Sequence, residues 1–545
     1  MSKITARGKQ KNSNTHKFSE IPSADIPRST FDRSRSKKLT CNSSLLIPIY
    51  ADEVLPGDTV HMKSCTILAR LTTPIVPFMD NIYISSFFFF VPLRLLWTNF
   101  VKMMGEQTNP GDSISYSTPQ IVTPNDGVGA VTQSLSDYLG IPTGVANLSV
   151  NSFFHRAYNK IWNEWFRAQE LQNSLVVDVD DGPDTYTDYV LKNRGKRHDY
   201  FTSALLAPQR GAGVSLPLGT TAPIIGLGKE TTTFSSSSKS VYETGKTSTT
   251  AYPYNQNVGN YGSADLNLWM RGTAATGYPM VFADLSSATS ATINSLRLAF
   301  QVQRLLERDA RGGTRYPEIL ISHFGVKDPM HNVLQRSEFI AGAENPLMVT
   351  PIAQTDHTPA TGTPKGDLSA FAVGVGNANF TKSFTEHGVI LGLMEIRADL
   401  SYQQGLHQKF TRRTRYDYYM PALACLGEQA ILNKEIYCKN DANDALVFGY
   451  QERWAEYRYG QSEIAGCLRH TVTAGFATLD WWHLGENFSS LPTLSDTFIQ
   501  GSAKAVVDRV IAVTTQPQWV VDIYFNEKWT RPMPVYSVPG MIDHY

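Results

Sequence analysis

The sequence predicts one large, mainly β body with long loops, and three observations carry that expectation. Aromatic residues make up 11% of the 545 residues, with 26 Phe and 25 Tyr, while 39 Gly and 29 Pro supply turns. That mixture suits pleated strands joined by tight bends. Strand-like runs recur between clusters of turn residues. Late runs must also return to early ones around two long insertions, a connectivity that fits a single Greek-key body better than a string of domains.

Taken in order, residues 1–38 carry ten cations (Lys3, Arg7, Lys9, Lys11, Lys17, Arg28, Arg33, Arg35, Lys37 and Lys38) against Glu20, Asp25 and Asp32. The segment is therefore +7 in a chain of zero net charge, which leaves −7 for the remainder. With few large apolar residues it reads as a basic arm, either facing phosphate or solvating the chain. Residues 45–50, 60–71 and 82–91 read as strands, bounded by Leu-Pro-Gly-Asp at 55–58 and Thr-Pro at 73–74. Phe87 to Phe90 are consecutive rather than alternating, so that strand is expected to be buried on both faces. Residues 152–172 read as a helix with an aromatic core face that includes Phe154, Tyr158, Trp162 and Trp165.

Composition then changes. Residues 229–250 hold six Ser and seven Thr among 22 positions, too little apolar area for a core, so a surface excursion is expected. Its Tyr242, Tyr252, Tyr254 and Tyr261 favour a binding loop, since tyrosine gives contact area at low entropic cost. Residues 292–310 read as a second helix that stops at Gly312-Gly313. Residues 388–400, 415–422, 447–459 and 519–529 read as further strands. The division expected is an arm at 1–38, a body of 39–210 with 292–545, and an insertion at 211–291.

Motifs for catalysis, metals or cofactors are weak. Lys246-Thr247 has Ser240 where a phosphate-binding loop needs its first glycine. Asp178, Asp180, Asp181 and Gly182 imitate a calcium loop, but Tyr189 stands where the bidentate Glu belongs. Asp480 and Glu486 flank Trp481-Trp482 as the two acids of a carbohydrate-active enzyme would, which keeps that reading as a rival. Five scattered cysteines without a CxxC pair argue against a disulfide framework or structural zinc and for a reducing compartment. No signal peptide is read, and the apolar run from Ile82 to Trp97 is too short and interrupted to span a bilayer. A soluble, cytoplasmically made protein is expected, with no cofactor or metal.

Basic clusters are more informative. Arg297, Arg304, Arg308 and Arg311 fall on one face of the second helix. Arg412, Arg413 and Arg415 form another group, and Lys192, Arg194, Lys196 and Arg197 a third. Each fits phosphate or the acids of a neighbouring subunit equally well. A monomeric DNA-binding protein using the arm is therefore a second rival.

Several long runs carry a family resemblance: residues 296–316 and 322–326, Asn-Glu-Trp-Phe-Arg at 163–167, Ala-Asp-Leu-Ser-Tyr-Gln-Gln-Gly at 398–405, Arg-Arg-Thr-Arg-Tyr at 412–416, residues 448–453 and 455–459, and residues 532–540. Together with the terminal Ile-Asp-His-Tyr they closely resemble the major capsid proteins of gokushoviruses, small single-stranded DNA phages of the microvirus family. The resemblance covers nearly the whole chain outside the Ser/Thr-rich insertion. It implies an eight-stranded viral jelly roll assembled into an icosahedral T=1 shell in the host cytoplasm, with the insertion projecting near the threefold axes for host attachment. The partners it implies are other copies of the chain, the single-stranded DNA genome, an internal scaffolding protein, a small basic DNA-binding protein, a DNA pilot protein and a host surface receptor.

Overall fold

In the computed structural model the described residues are 27–211, 213–214, 293–313, 316–325, 335–353, 368–399, 401–500 and 503–536, together with six short strands between 224 and 283. The chain divides into two compact units: residues 1–208 with 313–545, and residues 209–312.

The larger unit is built on nine strand segments: β1 (Ser29–Asp32), β2 (Arg35–Cys41), β3 (Ile47–Val54), β4 (Thr59–Leu71), β5 (Ile82–Pro92), β6 (Glu338–Ala353), β7 (Leu368–Ser383), β8 (Gly388–Ala398) and β9 (Trp519–Arg531). β1 and β2 lie end to end along β9, so they act as one edge strand and the nine segments amount to eight. Every pairing is antiparallel. One sheet runs β2–β9–β4–β7 and the other β3–β8–β5–β6, with the β6–β7 hairpin joining them. This order, in which first and last strands pair and the middle ones interleave, is that of a jelly roll made of two Greek keys. The chain is mainly β, and the expected class holds.

The sequence explains each strand. In β9, Trp519, Val521, Ile523, Phe525, Glu527 and Trp529 are buried and alternate with more exposed residues, the period-2 signature of a half-covered strand. β4 alternates likewise but changes phase between Met62 and Cys65, where Lys63 is the extra residue of a bulge. β5 and β8 are buried on both faces. Phe88 and Phe90 point into the sandwich, whereas Phe89 and Val91 point to a second core on the other side. That second core is closed by α1 (Phe153–Ile161) through Phe153, Ala157, Tyr158 and Ile161. The α-helix is shorter than the sequence suggests, because a π turn follows at Trp162–Phe166 and the chain is extended at Arg167.

Two buried carboxylates pin the architecture. Glu527, between the sheets, accepts hydrogen bonds from the Tyr50 hydroxyl at 2.6 Å and the Trp529 indole at 2.8 Å. Asp184 pairs with the fully buried Arg156 of α1, whose Nε lies 2.7 Å away. The acids that imitate a calcium loop are engaged close by: Asp180 faces Arg156, and Asp181 accepts from the Trp97 indole at 2.7 Å.

Several expected elements differ. Residues 29–41, mostly assigned to the arm, form the edge strand instead. Residues 415–422 are 3-10 turns at Arg415–Asp417 and Pro421–Leu423 rather than a strand, because the Asp417 carboxylate accepts from the backbone of Arg413 and Thr414 and curls the chain. The run at 447–459 is a strand only over Val447–Glu452. Two 16-residue strands, β6 and β7, went unread.

In the smaller unit, three antiparallel pairs nest inside one another: Ile224–Ile225 with Phe282–Ala283, Leu227–Lys229 with Leu268–Met270, and Ser240–Val241 with Tyr252–Pro253. The segment therefore folds back on itself before reaching α2 (Ile293–Gly312).

Candidate nucleic-acid and subunit-contact surfaces

The arm cations fall into two groups. Lys3, Arg7, Lys9, Lys11 and Lys17 lie outside the described residues. Of the others, Arg28 precedes the edge strand and donates to Gly57 O at 2.7 Å, and the rest lie along it, where period 2 decides their fate. Arg33 and Arg35 both reach Asp52, at 2.9 and 3.0 Å, and Arg33 lies over the Trp529 ring and Arg35 over Tyr50. Lys37 donates to the carbonyls of Pro48 (3.1 Å) and Tyr138 (2.5 Å), and burial pushes its pKa down to about 8. Lys38 is exposed, opposite Asp522 in the pairing with β9. The inward-facing cations thus neutralise and tie the body, leaving Lys38 available to a partner.

The knot at 192–197 is engaged in the same way. Arg194 pairs with buried Glu395 at 2.8 Å, Lys196 with Glu486 at 2.9 Å, and Arg197 with Glu344 at 2.7 Å and Asp399 at 3.1 Å. Glu486 is therefore the counter-ion of a buried lysine, and Asp480 binds His470 Nδ1 at 2.9 Å. The two acids proposed for glycoside chemistry are structural partners of other residues. Among the described residues no group of three His, Cys, Asp or Glu is placed to hold a metal ion. All five cysteines are free, and burial raises the Cys41 and Cys65 thiols to about 12.

On α2, Arg297, Arg304, Arg308 and Arg311 are all exposed, and Leu298 and Leu305 are exposed about a quarter turn round the helix from them. Tyr252 falls in the short strand Tyr252–Pro253, whereas Tyr242, Tyr254 and Tyr261 lie outside the described residues. Arg412 is anchored on Glu456 at 3.2 Å and lies over the Tyr457 ring at 4.3 Å. Arg413 and Arg415 are exposed.

The structure adds what the sequence reading passed over. Exposed tyrosines lie beside these arginines: Arg412 sits over the Tyr418 and Tyr457 rings and Arg415 over Tyr416, and Tyr419 packs against Tyr457. The available signal was the interleaving of Arg and Tyr in 412–419 and again in 453–459. A polar cluster also lies in a third core, formed by Tyr200, Phe201, Ile431, Ile436, Phe448 and Phe498: Tyr200 donates to Glu435 at 3.1 Å, and burial, with Glu456 as a like-charged neighbour, raises Glu435 to about 7.

The described residues thus form a jelly roll with exposed arginines on its surface. A family model described as capsid protein (F protein) matches residues 19–541. The chain belongs to this capsid-protein family. It is 42% identical to the capsid protein VP1 of Bdellovibrio phage phiMH2K, over 98% of this chain and 99% of that one. It is 40% identical to VP1 of Chlamydia phage 1, over 96% and 98% of the two chains. Against VP1 of Spiroplasma virus 4 the identity is 35%, over 99% of each. As a microvirus capsid protein the chain is a structural component of the virion, and many copies of it build the shell. Membership sets aside both rivals, the carbohydrate-active enzyme and the monomeric DNA-binding protein.

Proposed function

We propose that this capsid protein closes an icosahedral T=1 shell around single-stranded DNA and that its 209–312 unit carries host attachment. The observation that supports the shell reading is the jelly-roll pairing order in a chain matched almost end to end by viral capsid proteins. A rigid sandwich whose long loops meet neighbours is a recurrent way to tile a closed surface. In this reading Lys38 faces the genome together with Lys3, Arg7, Lys9, Lys11 and Lys17, and the exposed arginines of α2 meet phosphate or a neighbour's acids. The scaffolding, small basic and pilot proteins implied by the resemblance act on the same inner side.

Attachment is supported by the insertion's own organisation. It is a separate compact unit, its pairs nest, and the composition of its Ser/Thr-rich stretch offers little apolar area for a core. Repeated around a symmetry axis, weak contacts would multiply through avidity. Electron microscopy of particles formed with the scaffolding protein tests the shell: closed T=1 particles are expected, and open sheets or another lattice would refute it. Shortening residues 229–250 should leave intact particles that adsorb poorly to the host; normal adsorption would remove the segment from that role.

A further inference from the structure

A cavity of about 340 Å³ opens on the larger unit between residues 199–201, 401–410 and 460–469, and all its lining residues lie outside the nine strands of the sandwich. Its size falls at the lower end of the range for small-ligand sites, ~300–1,000 Å³. The walls are aromatic and held in place. Phe201 meets Tyr200 and Tyr402 edge-on, each with 5.2 Å between ring centroids, and Tyr402 stacks on Phe488 at 6.0 Å and 11°. Phe410, which also lines the cavity, is 71% exposed and so belongs to its rim. Beside it Lys409 ties the 407–410 turn to the 460–465 loop through Glu463 at 2.6 Å.

One polar group of this lining is left over. Gln403 is only 9% exposed, and its Oε1 accepts from His470 N at 3.0 Å. A backbone N–H needs the oxygen and not the nitrogen, so that bond fixes which way the amide points. Nε2 is then buried with no hydrogen-bond partner among the described residues. A buried donor left unmade is costly, so the position calls for an acceptor. The acids of the lining do not supply it. Glu435 already accepts from the Tyr200 hydroxyl at 3.1 Å and from Leu432 N at 3.0 Å. Asp199 accepts from Phe201 N, Thr202 N and Thr202 Oγ1 at 2.9, 2.7 and 3.0 Å. The same acids decide the charge of a ligand. An anion would face Asp199 and Glu463 with Arg469 as the one arginine of the lining. A cation would have to displace the bonds just named and would still leave Nε2 without an acceptor.

We propose that this cavity binds a small, neutral, planar aromatic compound bearing a carbonyl, such as an aromatic amide, whose oxygen accepts from Gln403 Nε2 while its ring packs against Phe201, Tyr402 and Phe410. The site belongs to the single subunit and does not depend on how the shell closes.

The test uses full-length unassembled subunits and four probes: benzamide, toluene, benzoate and cyclohexanecarboxamide. Binding is followed by ligand-observed NMR and by the rise in melting temperature that a ligand of the folded state produces. Benzamide should bind about five- to tenfold more tightly than toluene, the gain of one neutral hydrogen bond to a buried donor. It should also outbind benzoate, which is charged, and cyclohexanecarboxamide, which lacks the flat ring. Gln403→Glu keeps the acceptor for His470 N but removes the donor, and should abolish the preference for benzamide over toluene. Gln403→Met removes the donor without adding charge and should do the same. Phe410→Ala, at an exposed position, should weaken benzamide and toluene alike. Absence of binding by every probe overturns the proposal and leaves the cavity to water. So does equal affinity for benzamide and toluene, tighter binding of benzoate, or a benzamide preference that survives both Gln403 variants. The measurement is then repeated on closed particles. Retained benzamide binding supports a small-molecule site, whereas its loss there shows that a neighbouring copy fills the cavity and overturns the proposal.

Discussion

The two sheets of the sandwich differ in who covers them. In the β3–β8–β5–β6 sheet, all 11 residues of β8 are buried, because the sandwich core lies on one side and α1 with its neighbouring loops on the other. In the β2–β9–β4–β7 sheet only the inner face is covered by the described residues. Its outer face leaves Val520 and Tyr524 each 50% exposed and Val375 57% exposed. Strands of one jelly roll therefore obey different rules: a continuous apolar run where both faces are packed, and strict alternation where one is open. The covered sheet is stabilised within the subunit, whereas the open one leaves a face for solvent or for other copies.

The strongest way to break this comparison is to open a cavity on the covered side. Phe89 in β5 packs against Trp165, Phe166 and Phe339 with ring centroids 5.5–5.8 Å apart. Phe89→Ala should cost about 3–5 kcal/mol, measured by denaturant unfolding of unassembled subunits. A loss below ~1 kcal/mol would mean that the outer layer does not truly close this sheet.

The third core, outside both sheets, should reveal itself through pH. Glu435 is raised to about 7, first by burial and then by Glu456 as a like charge. A carboxyl held above its usual range retains its proton in the folded state after the unfolded chain has released it. Stability should therefore fall as pH rises from ~4.5 to ~7, by up to about 3 kcal/mol. Glu435→Gln keeps an acceptor for Leu432 N and removes the titration, so its unfolding midpoint should lose that slope. An unchanged slope would place the pH dependence elsewhere. Smaller again is the link between sheets: Tyr50→Phe deprives buried Glu527 of its 2.6 Å hydrogen bond and should cost about 2 kcal/mol in the same assay.

What was legible in the sequence follows the same division. β5, β8 and β9 announced themselves because large apolar residues carry their inward positions. β7 did not, since its inward row is Ala370, Ala372, Gly374, Gly376 and Ala378 before Phe380 appears. The small residues are needed there: a Cβ on Gly374 would come within 2.9 Å of Leu347 and 3.1 Å of Ile84. A strand whose buried face is built from alanine and glycine has no hydrophobic period to read. The surfaces were half legible. Spacing located the arginines, but the acids that satisfy Arg33, Arg35, Arg194 and Arg197 arrive from distant strands. The tyrosines around Arg412 meet only because two remote loops converge.

The smallest expected effect sharpens the comparison most. Leu68 and Val375 are cross-strand neighbours on the open face, paired between β4 and β7. Leu68 is 44% and Val375 57% exposed, so neither contributes much to the subunit's own core. Leu68→Ser and Val375→Thr should each change subunit stability by no more than ~0.5 kcal/mol, the usual range for surface substitutions. Denaturant unfolding of the unassembled protein checks this, beside Phe89→Ala measured under identical conditions. A cost of several kcal/mol at either position would show that the outer face is packed in the free subunit, and the distinction between a covered and an open sheet would fail. With the expected near-silence in the subunit, any loss of particle yield in the same variants must come from the assembled shell, because the free fold has already been shown not to need those side chains.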